Sequence, residues 1–141
     1  MNEHTIYLGG GCFWGLQGYI KKIEGVLSTE VGYANGPTEN PSYEDVCHNS
    51  GHVEALKVTY DADTLSLDHL IQYFLRAIDP FSINKQGGDV GIQYRTGIYY
   101  TDKADRAIIE STLSRAQAFE AKPFAIEVLP LENYYSAEEY H

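Results

Sequence analysis

Nine residues near the N-terminus, Gly9-Gly10-Gly11-Cys12-Phe13-Trp14-Gly15-Leu16-Gln17, set a cysteine between a glycine run and the chain's only tryptophan. A dinucleotide fingerprint would need glycines spaced G-x-G-x-x-G, and counting from Gly9 and Gly11 puts Trp14 where the last should stand. A phosphate-binding loop would need Gly-Lys-Ser/Thr, and Gly15 is followed by Leu16. What remains is strand, glycine turn and helix, with Cys12 at or beside the first helical position. Unpaired N–H groups and the positive end of the helix dipole favour an anion there, so the thiol is expected to ionise and act as a nucleophile. The glycines allow close approach of backbone to substrate, and Phe13 and Trp14 supply an apolar wall beside the sulfur. A cysteine taken alone is more often a small core residue. Its neighbours tip this one toward chemistry.

Two further groups bear on that chemistry. Glu54, in "GHVEALKV", stands at the start of an apolar, alternating strand. Buried there, its carboxyl would keep a proton by desolvation and serve as an acid; at the strand end it would be an ordinary solvated charge. The residues alone leave these two readings even. His52, beside a glycine at the same strand start, reads as support for the loop.

The elements that must position these groups follow from periodicity. "HTIYL" is a strand stopped by glycine, and Phe13, Leu16, Tyr19, Ile20 and Ile23 form a helical stripe ending at Gly25. "VLSTEVGYA" and "VEALKVTY" alternate as strands. Between them, residues 34–51 form a long loop with two prolines, two glycines and three asparagines, of the kind that carries function. Leu67, Leu70, Ile71, Phe74, Leu75 and Ile78 make a second helical stripe ended by Asp79-Pro80. A polar loop "DPFSINKQGGDVGIQYR", a strand "TGIYYT", a helix capped by Asp102 and a strand "FAIEVLPL" follow, and the tail "ENYYSAEEYH" has no stripe. The order β-α-β-β-α-β, then α-β, predicts an α+β fold. Its expected form is a ferredoxin-like, split βαβ two-layer sandwich with an added helix and strand and long loops.

Composition narrows the function classes. A chain of 141 residues with 43% apolar content is one packed domain. Ten basic against twenty acidic side chains, a net charge of −10, argue against general affinity for nucleic acid or anionic membrane. No membrane span or signal peptide is evident, so a cytoplasmic, monomeric protein is expected. Two cysteines are too few for a disulfide scaffold. Twelve tyrosines against five phenylalanines are unusual; most are expected at the sheet surface, with two or three in a pocket.

"GGGCFWG" resembles the signature of the peptide methionine sulfoxide reductase A family. "GYANG", "NPSYEDVC", "GHVEALKVTYD", "GGDVGIQYRTGIYY" and "AEEYH" are similar to that family's segments in its order, so the likeness covers nearly the whole chain. The resemblance implies reduction of methionine (S)-sulfoxide, free or in peptides and proteins, by attack of Cys12. Glu54 would be the proton donor, and Phe13 and Trp14 the wall for the S-methyl group. Tyr43 and Tyr94 would hold the sulfoxide oxygen, and Asp89 would order the site through hydrogen bonds. No tightly bound cofactor and no metal are implied. The sulfenic acid left on Cys12 would be reduced by an external thiol of thioredoxin or glutaredoxin type, or by dithiothreitol in vitro. Residues 1–141 would then be a single catalytic domain without the glycine-rich tail that often carries a resolving cysteine. Three sources of the resolving thiol stay open: an external reductant acting directly, a tail outside this sequence, or Cys47.

Three rival readings use the same residues. A papain-like hydrolase would pair Cys12 with His48 or His52. A metal site would take Cys47, His48 and His52 from "CHNSGH", a spacing unlike known zinc patterns. A binding module would leave both thiols inert.

Overall fold

The computed structural model describes residues 2–36, 51–86 and 88–137. Tyr43, Cys47 and His48 therefore lie outside the described residues. The elements run β1 (Glu3–Gly9), α1 (Phe13–Ile20), β2 (Val26–Ala34), β3 (Val53–Asp61), α2 (Leu67–Ala77), β4 (Lys85–Gln86) and β5 (Asp89–Val90). A single turn of 3-10 helix (Ile92–Tyr94), β6 (Gly97–Tyr100), α3 (Lys103–Gln117), β7 (Glu127–Pro130) and β8 (Tyr134–Ser136) complete them. The fold is mixed α+β. Six strands form one sheet in the order β7-β6-β1-β3-β2-β8, and β4 pairs with β5 in a separate ribbon. Only β6 and β7 are parallel, joined by the crossover helix α3; β1 and β3 run antiparallel from Glu3 opposite Asp61 to Gly9 opposite Ala55.

The period of two along each strand sorts the side chains into layers. Ile6 and Leu8 of β1, Val31 and Tyr33 of β2, Leu56, Val58 and Tyr60 of β3, and Ile98 and Tyr100 of β6 all join one core. Phe13, Leu16 and Ile20 of α1, Leu67, Leu70, Ile71 and Phe74 of α2, and Ile109 of α3 pack on it. The intervening positions Tyr7, Val53 and Tyr99 form a smaller cluster with Leu131 and Tyr134 on the opposite face. Helix α2 starts where the Ser66 hydroxyl accepts the His69 N–H, and α3 where Asp102 accepts from Ala104. The two helices are tied by Asp68, whose carboxylate accepts from Thr112 Oγ1 at 2.5 Å and from Arg115. The Thr112 bond foremost holds the Asp68 carboxyl below the usual carboxylate range.

Several expectations are corrected. The first helix ends at Ile20 rather than reaching Gly25: the chain turns there, and Gly25 (φ +99°) delivers it to β2. The tail without a stripe contains β8, a three-residue strand on the outer edge of β2. It is held by backbone pairing and by a clamp in which Asn133 donates to the Gly36 carbonyl and accepts from the Gly36 N–H, neither of which leaves an apolar period. The strand tyrosines Tyr7, Tyr33, Tyr60, Tyr99 and Tyr100 are buried rather than at the sheet surface. The Tyr99 phenol is satisfied inside by donating to Glu127 at 2.8 Å.

Candidate active site

The glycine turn is built by close packing. A side chain on Gly10 would meet Ile78 of the segment after α2, and one on Gly11 would meet Gln86 of β4. Gly11 also has φ +77°, a left-handed conformation that suits glycine. Its N–H donates to the Tyr94 carbonyl at 3.3 Å, joining the turn to the 3-10 helix. Gln86 is itself locked. Its amide accepts the Asp79 N–H at 2.7 Å and donates to the Asp79 carbonyl and to Thr96 Oγ1.

Cys12 is the N-cap residue of α1, extended at φ −64° and ψ 124°, partly exposed, with no capping bond from its own side chain. The missing cap comes from the sheet. Glu54 lies on the helix-facing side of β3, in step with Leu56 and Val58, and is only 2% exposed. Its Oε1 accepts the Phe13 N–H at 3.3 Å. One of the unpaired donors of the first helical turn is thereby met by a carboxyl, one residue from the thiol. Of the two readings of Glu54, the solvated strand-end charge is set aside by its burial. Phe13 is buried against Tyr33, while Trp14 stands edge-on to Phe13 with centroids 5.4 Å apart and is 45% exposed.

Cys12, Phe13, Trp14, Glu54 and the Tyr94 backbone are thus gathered around one helix start. Asp89 pairs its backbone with Gln86 in the β4–β5 ribbon, which abuts the glycine turn through Gln86. His52 is fully buried under the Gly36 backbone, its ring 6.3 Å from Tyr135. Two residues that sequence reasoning passed over help to hold the site. Gln86 braces Gly11. Arg95 donates to Glu127 at 3.2 Å and to the Gly51 carbonyl at 3.0 Å, three residues before Glu54. Neither belongs to an apolar period or a motif of spacing, so neither carries a signal in the sequence.

An open cavity of about 510 Å³ runs from Cys12 along α1 to the last turn of α2, with Gly15, Tyr19, Arg76 and Gln86 in its lining. No group of three or more potential metal-binding side chains occurs among the described residues. No helix among them is long and apolar enough to cross a membrane.

Residues 4–141 match the family model described as "Peptide methionine sulfoxide reductase". A protein of Lachnoclostridium phytofermentans named "Peptide methionine sulfoxide reductase MsrA" is 56% identical over 142 residues, covering 100% of this chain and 85% of its own. The crystal structure of Mxr1 from Saccharomyces cerevisiae in reduced form matches with a TM-score of 0.91 at 34% identity, covering 99% of this chain and 82% of that one. A structure of Mxr1 in complex with Trx2 has the same fold, with a TM-score of 0.70 at 22% identity over 98% of this chain and 83% of that one.

Proposed function

Because the chain belongs to the peptide methionine sulfoxide reductase family, we propose that its reaction runs on the helix start at Cys12. The activity is thiol-dependent reduction of methionine sulfoxide to methionine, a repair of oxidised proteins. In the proposed mechanism the Cys12 thiolate attacks the sulfoxide sulfur. The oxygen must gain a proton as its bond to that sulfur breaks, and Glu54 gives it. Burial favours the neutral carboxylic acid, and the Phe13 N–H fixes one carboxyl oxygen in place. Phe13 and Trp14 take the S-methyl group, Trp14 offering its π-face to the positive character that grows on sulfur. Tyr94 and Tyr43 donate to the oxygen, and Asp89 orders the site through hydrogen bonds. The departed oxygen, as water, then attacks the Cys12 sulfur of the resulting sulfonium; the S–S bond breaks, methionine leaves with the electron pair, a proton is released, and Cys12 becomes a sulfenic acid.

The observation that carries this reading is the 3.3 Å bond between Glu54 and the first residue of the helix that Cys12 caps. A hydrolase would pair the thiol with an imidazole; among the described residues the group bonded at the helix start is a carboxyl. The test is turnover of each methionine sulfoxide epimer with dithiothreitol. Reduction of the S form alone is expected, and Cys12→Ser should abolish it; equal turnover of both epimers, or none, overturns the reading. For the second half of the cycle we take an external thiol as reductant. The crystallisation of Mxr1 with Trx2 supports a thioredoxin-type dithiol, and Cys47→Ser should retain most activity with dithiothreitol. The chain is read as one catalytic domain on its length of 141 residues and as cytoplasmic on its low cysteine count, and a monomer is expected. The antiparallel run β6-β1-β3-β2 supports a ferredoxin-like core.

A further inference from the structure

Apart from Cys12, the cavity shares none of its lining with the described residues assigned to the sulfoxide. Its lining takes in Cys12, Gly15, Tyr19, Arg76 and Gln86, but not Phe13, Trp14, Glu54 or Tyr94. Two features of that lining bear on what it could bind. Gly15 sits inside α1, where glycine costs about 0.5–1 kcal/mol relative to alanine, yet a side chain there would meet nothing within 4 Å. No packing contact among the described residues demands the glycine, and it keeps the groove wide next to the thiol. Arg76 is the second feature. The chain has four arginines, and Arg95, Arg106 and Arg115 each pair with a carboxylate. Among the described residues Arg76 pairs with none, in a chain with twenty acidic side chains. It lies 5.7 Å from the Tyr73 ring centroid and is the only charged residue in the groove's lining among the described residues.

We propose that this groove is the site of the reducing thiol, and that Arg76 selects thiols bearing a carboxylate. The proposal rests on the sulfoxide reductase reading and deepens its second half. Cys12 is the one residue common to the groove and the sulfoxide side, as it must be if both substrates meet the same sulfur in turn. The carboxylate anchors on the guanidinium while the thiol sulfur reaches the sulfenic acid. Attack forms the Cys12–S–S–R mixed disulfide and breaks the S–O bond, and the oxygen leaves as water with the thiol's proton. A second thiol then attacks the mixed disulfide, releasing RSSR and the Cys12 thiol. The two thiols supply the two electrons that reduced the sulfoxide.

The test compares mercaptosuccinate with uncharged 2-mercaptoethanol as reductants for the intact protein, its Arg76→Gln variant and its Arg76→Lys variant. The kcat/KM ratio of the anionic to the neutral thiol should fall about fivefold in Arg76→Gln, the scale of an exposed ion pair, and recover in Arg76→Lys. A second readout needs no turnover. The rate of Cys12 alkylation by iodoacetate relative to iodoacetamide, followed by peptide mass spectrometry, should fall in Arg76→Gln by a similar factor. An unchanged thiol ratio or a flat alkylation ratio overturns the assignment, as does a fall confined to kcat/KM for the sulfoxide, which would give the groove to the peptide. Those results leave the reductase reading standing. Failure of the unaltered protein to reduce methionine sulfoxide with any thiol defeats that reading, and this assignment with it.

Discussion

Glu54 stands where two demands conflict. As a helix cap it accepts the Phe13 N–H, and as the proposed acid it must also carry a proton. Glutamine keeps the accepting oxygen and loses the proton. Glu54→Gln should therefore leave α1 intact by circular dichroism and cut kcat by about 10²–10⁴-fold, the usual worth of a positioned acid; near-native kcat would remove Glu54 from the mechanism. A second buried carboxyl makes a prediction about stability. Asp105, in the first turn of α3, is 6% exposed, and burial, then the charge of Asp102, holds its carboxyl above the usual range, with His4 opposing. An acid whose folded pKa is raised binds its proton more tightly folded than unfolded. Its ionisation then costs stability as pH rises from about 3.9, the unfolded value, through the folded one, and costs nothing below. The stability gained by Asp105→Asn should accordingly grow as pH rises above the unfolded value and level off once the folded carboxyl has ionised; urea midpoints that diverge in the other direction would contradict the sign. At this scale the sequence was informative where a residue sat in a pattern. The glycines and aromatics around Cys12 pointed to a helix start, and the alternation of β3 put Glu54 in phase with Leu56. That the carboxyl would meet the N–H of Phe13 depends on the approach of two segments 41 residues apart, which no local pattern encodes.

Among the elements, the glycine turn and the β4–β5 ribbon act as one piece. A β-carbon on Gly11 would lie 2.6 Å from Gln86 Cβ, close to its backbone rather than at a movable tip, and would sit at φ +77°. Gly11→Ala should cost about 1–3 kcal/mol and lower kcat by displacing Cys12. Thermal denaturation and steady-state kinetics check the two effects together, and a stable, active variant would show that the turn tolerates a shift. Gln86→Ala frees the backbone groups of Asp79 and the Thr96 hydroxyl that the amide now serves. Water can reach the freed Asp79 groups, so a loss of about 0.5–1.5 kcal/mol, the net worth of a typical hydrogen bond, is expected in urea denaturation. The helices and long strands were legible from their apolar periods. The ribbon, the 3-10 turn and β8 were not, because backbone pairing and side-chain amides hold them.

For the whole molecule, a charge of −10 sets a field that acts before any contact. Sulfoxide peptides flanked by lysine should lose kcat/KM when ionic strength rises from about 0.02 to 0.2 M, and glutamate-flanked peptides should gain, because screening shortens the reach of that field. Equal responses would mean that local contacts outweigh it. The sheet is finished by β8, whose Tyr134 ring lies over Gly32 and whose hydroxyl donates to Glu30 at 2.8 Å, closing an edge of β2 that would otherwise be open to strand addition. One further property follows from the sole tryptophan, half in solvent and two positions from the sulfur. Its ultraviolet emission is expected to report the thiol's redox state. If turnover places an oxygen on that sulfur, the indole's surroundings change, and stopped-flow fluorometry on unlabelled protein should time the two half-reactions separately; emission that stays flat on mixing with sulfoxide would count against an oxygen at Cys12.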